Sequence, residues 1–223
     1  MLALKLGLSL NNIKTLGASW SPDEESSLVA WYKNATGINL SGTDVDRWSD
    51  VSTNSYHMSQ YTAAAQPAYS GGVLTFDGTD DNLASSQINL TGACTIAIRG
   101  DFTGVTNRTI LGDDDASNAF LKLQSTTVLR IRVAAGLINF TLSSGTFGDD
   151  YLVITRDGSN NVNAYRNGVS ISAEQSRSGS IRIDNLGTNT GGTFFNGTMK
   201  EVQIYSSTSA DLTANINSRL ASL

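Results

Sequence analysis

The chain has 223 residues, a formal net charge of -5, and only 16% charged residues. That length supports one large hydrophobic core without disulfide or metal staples. The acidic balance, with no run of Lys and Arg, argues against a nucleic-acid partner, whose phosphates demand clustered cations. No stretch reaches the roughly 18 apolar residues of a membrane span.

Leu2, Leu4, Leu6, Leu8 and Leu10 share one parity, with Ala3, Lys5, Gly7 and Ser9 between them. Period two marks a strand with one apolar face; a helix would scatter the leucines. The segment lacks the basic lead of a secretory signal. Two readings stand: a strand on the chain's own sandwich, or an arm, residues 1–20, laid on a neighbouring subunit. A short helix is predicted next, with Ser21 as cap, Pro22 in the first turn and Glu24 completing a capping box. Leu28 to Tyr32 reads as a strand with Trp31 in the core. Residues 34–66 read as irregular structure with short strands.

Beyond this point turns punctuate the chain. Strands are predicted at 73–76, 94–99, 108–111, 119–124, 127–133, 151–155, 163–166, 169–171, 180–186 and 199–205. Cys94 lies within an apolar alternation and reads as a buried, inert thiol; as the single cysteine it rules out an internal disulfide. Arg130 and Arg132 share one face of their strand. Asn167-Gly168 supplies the left-handed pair of a type I′ hairpin turn. Leu212, Ile216 and Leu220 recur every fourth residue, so a helix closes the chain, with Ser209 near its start. Short strands separated by turns indicate an all-β sandwich or barrel in one domain.

Four segments in order carry a resemblance. Phe76-Asp-Gly-Thr-Asp-Asp-Asn-Leu83, the hairpin from Ile154-Thr-Arg-Asp157 to Tyr165-Arg-Asn-Gly168, and Phe195-Asn-Gly197 with Glu201-Val-Gln-Ile-Tyr205 resemble laminin G-like domains, members of the concanavalin A-like lectin and glucanase superfamily. Leu28 to Tyr32 resembles the opening strand. The resemblance spans residues 28–220 and implies a concanavalin A-like jelly-roll β-sandwich with a terminal helix. Residues 1–20 fall outside it. The superfamily holds lectins, adhesion modules, glucanases and phage virion proteins, so fold alone leaves function open.

Little points to chemistry. Glucanases of the superfamily need two nearby Glu residues facing substrate, and here Glu24 and Glu25 start a helix while Glu174 and Glu201 stand alone. His57 is the single histidine, too few for a histidine-rich zinc site, and it lies beside no nucleophile motif. Asp113-Asp114-Asp115 and Asp80-Asp81 are read as solvated acidic turns, since calcium demands more convergent oxygens. Gly71-Gly72 and Gly191-Gly192 are loop glycines rather than phosphate cradles. Tyr165 is expected to face outward, but one tyrosine makes no sugar site.

The expectation is therefore a protein without catalytic, metal or cofactor residues. It combines an N-terminal β arm, 1–20, with a laminin G-like sandwich, 21–223. The preferred role is a tailed-phage virion surface subunit, a capsid decoration or fibre-associated protein held through residues 1–20 to other virion components. Glycans are possible partners, homo-oligomers are compatible, and nucleic acid and membrane are not expected. The alternative is a carbohydrate-binding adhesion module of a bacterial surface protein.

Overall fold

A computed structural model describes residues 20–113, 118–133, 136–190 and 192–223. The leucine-striped arm expected at 1–20 lies outside them, save for Trp20. The strands are β1 (Leu28–Tyr32), β2 (Ile38–Ser41), β3 (Asp44–Trp48), β4 (Met58–Ser59), β5 (Ala68–Ser70), β6 (Val73–Asp77), β7 (Leu83–Leu90), β8 (Cys94–Asp101) and β9 (Arg108–Asp113). They continue with β10 (Asn118–Ser125), β11 (Val128–Val133), β12 (Gly136–Thr141), β13 (Asp149–Arg156), β14 (Asn161–Arg166), β15 (Val169–Ser170), β16 (Gln175–Ser176), β17 (Ile181–Leu186) and β18 (Asn196–Tyr205), followed by helix α1 (Ala210–Leu220). The protein is all-β, a jelly-roll sandwich with one C-terminal helix. The short N-terminal helix is a single 3-10 turn, Pro22–Glu24, whose Glu24 carboxylate accepts the Ser21 N–H at 3.1 Å.

Two antiparallel layers form the sandwich. In the first, β18 is central: β8 lies along one edge, and β6 and β1 share the other, against its first and second halves. β13 and β14 extend this layer beyond β8. The second layer runs β4, β7, β17, β9, β10, β11, β12. β2 and β3 join it through β4, and one pairing, Asp44 with Ala68, bridges the layers.

Alternation along the strands builds the core. Ile96 and Ile98, Leu152 and Ile154, Val202 and Ile204 meet Leu121, Leu123, Leu129, Ile131, Ile138 and Phe140 from the facing layer. A second, smaller apolar cluster sits on the outer side of the first layer, where Ala97, Val153 and Tyr205 meet Leu212, Ile216 and Leu220 of α1. β8 is thus buried on both faces, which explains why Cys94 to Ile98 is nearly all buried rather than alternating with water. The Cys94 thiol is free and buried, and burial pushes it up to about 11. It is inert, as expected.

Arg156 is fully buried and forms no ion pair among the described residues, yet it is satisfied. It donates to the carbonyls of Leu90 at 3.0 Å, Gly92 and Gly179. One guanidinium thereby joins the β7–β8 turn, the end of β13 and the approach to β17. Asn167 and Gly168 both have positive φ, 51° and 77°, as a type I′ turn requires. On the free edge of β12, Gln175 donates to the Asn139 carbonyl at 2.7 Å and Arg177 to that of Leu137 at 3.4 Å.

Four strands escape the sequence pattern, the short β5 and β16 and the longer β7 and β12. β7 carries Ala84, Ser85, Ser86 and Gln87 in sequence, so its apolar signal is confined to the ends. β12 starts on a glycine and alternates only over Ile138-Asn139-Phe140.

Candidate functional site

The outer side of the first layer holds a groove of about 480 Å³ between β13–β14 and α1. Its origin is local. Val162 and Ala164 turn into the core, so Tyr165 and Asn163 of β14 turn outward. Ser209 caps α1 by accepting the Leu212 N–H at 3.0 Å, which starts the helix just above the sheet. The period that docks Leu212, Ile216 and Leu220 leaves Thr213 and Asn217 on the flank facing β14.

Tyr165 supplies a half-buried ring, packed against the cluster beneath α1. Around it stand Thr155, Asn163, Thr213 and Asn217. Asn163 donates to Glu174 at 2.7 Å, and Thr213 donates to the Ser209 carbonyl at 2.9 Å. The Asn217 amide is different: its Oδ1 has no hydrogen-bond partner among the described residues. A buried amide left in that state is costly and gains from any group that can pair with it. Tyr151 lies at the same end, where a Cβ added at Gly168 would stand 3.3 Å from its hydroxyl and 3.6 Å from Asn217 Nδ2. Burial raises the Tyr151 phenol above its ordinary value, so it remains a neutral donor.

Asp157 is the one carboxylate lining the groove among the described residues. One of its oxygens accepts the Asn161 and Ser159 N–H groups, both at 2.8 Å, and the other accepts the Asn161 amide at 2.9 Å. The backbone hydrogen bond from Asn161, the largest influence, holds its carboxyl below the usual range. It is an ionised turn residue, matching its expected role. An aromatic face ringed by amides and hydroxyls suits a sugar, whose apolar face stacks while its hydroxyls pair.

Glu201 lies on the same outer face but is sealed. It is fully buried and accepts from Trp31 Nε1 at 3.0 Å, the Asn34 N–H at 3.1 Å, Gln203 at 2.6 Å and Arg219 through two bonds, 2.5 and 2.8 Å. Trp31 is buried as expected, but by cations rather than by the apolar core: Lys33 and Arg219 lie 4.9 and 4.8 Å from its ring. The assembly fastens the end of α1 to β1 and β18.

The acidic loops depart from the solvated turns expected. Asp81 is 6% exposed, and carboxylate oxygens of Asp77, Asp80 and Asp81 lie within 4.8 Å of one another. Burial, opposed by the Asp77 hydrogen bond and helped by neighbouring acids, pushes Asp81 up to about 6. These three could offer oxygens to a cation, but two of the carboxylates already serve the turn. Asp81 accepts the Asp77 N–H at 2.8 Å, and Asp77 accepts the Thr79 N–H at 2.7 Å. Asp113 is buried at the end of β9; Asp114 and Asp115 lie outside the described residues. His57 is half-buried, with Nδ1 lacking a hydrogen-bond partner among the described residues.

Sequence reasoning found Tyr165 and its outward direction but not its companions. Thr213 and Asn217 come from about fifty residues downstream, and only the docking of α1 brings them over β14. Their position on the helix flank was available from the Leu212-Ile216-Leu220 period; the sheet strand beneath it was not.

By sequence, no protein-family model and no curated protein matches the chain. By structure, it is similar to a sialidase of Trypanosoma rangeli in complex with a difluorinated keto-deoxy-nononic acid, at TM-score 0.59 and 13% identity, over 89% of this chain and 33% of that one. It is also similar to the binding domain of Paraclostridial Mosquitocidal Protein 1, at 0.58 and 12%, over 91% and 53%. A third likeness is to the ligand binding domain of botulinum neurotoxin serotype D in complex with N-acetylneuraminic acid, at 0.56 and 12%, over 88% and 51%. The chain spans one third to about half of these structures, and at such identities the likeness is one of fold: a lectin-like β-sandwich.

Proposed function

We propose that the chain is a non-catalytic, laminin G-like module that binds glycans in the groove between β14 and α1. We further propose that it is carried on the surface of a tailed-phage particle, as a capsid decoration or fibre-associated subunit held through residues 1–20. The observation that carries the glycan reading is the Tyr165 ring flanked by the uncommitted Asn217 amide. The neurotoxin domain's complex with N-acetylneuraminic acid supports it by analogy of fold. Asp157 and Glu201 support the non-catalytic part: Asp157, the one carboxylate lining the groove among the described residues, is engaged by its own turn, and Glu201 is sealed away from the groove by Arg219, Trp31 and Gln203.

Glycan-array binding by the full chain tests the reading. Tyr165→Ala is expected to weaken binding at least about tenfold, the scale of a lost stacking contact. Its circular dichroism spectrum at the assay temperature is expected to be unchanged and its melting temperature lowered, since the ring also packs on the cluster beneath α1. Release of reducing sugar, or binding indifferent to Tyr165→Ala and Asn217→Ala, overturns it. Deleting residues 1–18 is expected to leave a folded glycan binder that no longer joins phage particles. Retention in particles would refute the anchor.

A further inference from the structure

The outer face of the second layer carries cations that no described carboxylate neutralises. Leu121, Leu123, Leu129 and Ile131 turn into the core, so Lys122, Arg130 and Arg132 turn outward. Cross-strand register sets Lys122 directly opposite Arg130 and pairs Arg130 with Asn139. Arg108, at the start of β9, stands opposite the inward-turned Leu123 and so is not counted in this row, although its charge acts on Lys122. Adjacent strands lie about 4.8 Å apart, so the row from Lys122 through Arg130 to Asn139 spans roughly 10 Å across β10, β11 and β12.

Ion pairs among the described residues join Arg99 to Asp149, Arg166 to Asp150 and Arg219 to Glu201, all elsewhere. Arg130 reaches only the neutral Asn139 Oδ1, at 3.0 Å. Like charges facing each other across a ladder weaken it. The chain carries 20 acidic against 15 basic residues, so basic composition does not explain the row. Burial first, then Arg130 and Arg108, hold the Lys122 ammonium below its ordinary value. The strip is a positive field rather than a set of neutralised pairs.

The surroundings select the occupant. A folded protein partner needs an apolar or aromatic centre to its footprint, and the one large apolar side chain exposed on these strands is Leu137, at 42%. Single-stranded nucleic acid needs stacking rings, and a duplex needs an element that enters a groove; a flat strand face without aromatics offers neither. Asn139 and Thr141 instead add amide and hydroxyl groups beside the cations. Charge for an anion, next to polar groups for hydroxyls, fits a hydrated, extended chain.

We propose that Lys122, Arg130 and Arg132 on the outer face of β10–β11 bind an anionic polysaccharide, bearing carboxylate or sulfate groups, independently of the Tyr165 groove. The test uses the full chain with heparin as a sulfated probe, polygalacturonate as a carboxylated one, dextran as a neutral one, and a DNA duplex. Binding of either anionic polysaccharide, but not dextran, is expected at about 20 mM salt, with at least a tenfold loss by about 200 mM. K122Q combined with R130Q is expected to lower that affinity about tenfold with an unchanged circular dichroism spectrum, while Tyr165→Ala leaves it unchanged. Absence of anionic-polysaccharide binding at low salt, equal affinity for the duplex, or indifference to the double substitution overturns the proposal. Either result leaves the glycan-array outcome for the groove separate.

Discussion

The two outer faces of the sandwich are built from the same kind of alternating strand and end in opposite states. On the first layer, α1 covers Ala97, Val153 and Tyr205, and its uncovered flank makes a concave site. On the second, the half-buried Lys122, Arg130 and Arg132 and the exposed Asn139 line a ladder that α1 does not cover. One eleven-residue helix makes the difference. A covering element converts a sheet face into shape, whereas a bare face offers only charge and pattern. Recognition by the first depends on helix docking; recognition by the second depends on strand register alone.

Undocking the helix should break this contrast most severely. Glu201→Ala leaves Arg219, Trp31 Nε1 and Gln203 without their buried acceptor, and is expected to cost about 3–5 kcal/mol, read from urea denaturation. If the helix is what shapes the first face, this variant should lose groove binding before it loses the strip. Parallel loss of both would show that the faces are not separable.

A smaller effect should come from the acidic loop after β6. Asp81 is raised from 3.8 to about 6 in the folded chain, so between those values the folded state keeps a proton that the unfolded state releases. Stability contributed by the neutral acid is complete below about pH 4 and is lost as pH rises through 6. Asp81→Asn, which retains an oxygen for the Asp77 N–H, is expected to raise the melting temperature at pH 7 and to leave it unchanged near pH 4. An equal gain at both would remove ionisation as the cause.

The least effect on stability is expected from the bare face. Lys122→Gln relieves the repulsion across the β10–β11 ladder and should stabilise by no more than about 0.5 kcal/mol. A clear loss of stability would mean that the strip holds the sheet together and is not a free surface.

How much of this was legible in the sequence follows from the range over which each feature is encoded. The type I′ turn and the α1 face are properties of a few neighbouring residues, and their patterns point to them directly; the second buried face of β8, read as an alternation, comes from α1 more than a hundred residues later. The polar run Ser85-Ser86-Gln87 hides β7, because that strand's stability comes from pairing with β17 nearly a hundred residues later. The same range problem hides both sites. Arg130 and Arg132 were visible as a same-facing pair, but Lys122 joins them only through ladder register. Asn217 joins Tyr165 only through packing of α1 on the sheet.

The side chains that occupy the outer carbonyls of β12 have a consequence for crowded conditions. Gln175 and Arg177 take up acceptors that an incoming strand would otherwise use, and the arginine adds a charge that repels a like edge. Many copies held side by side would therefore resist zippering into fibrils along that border.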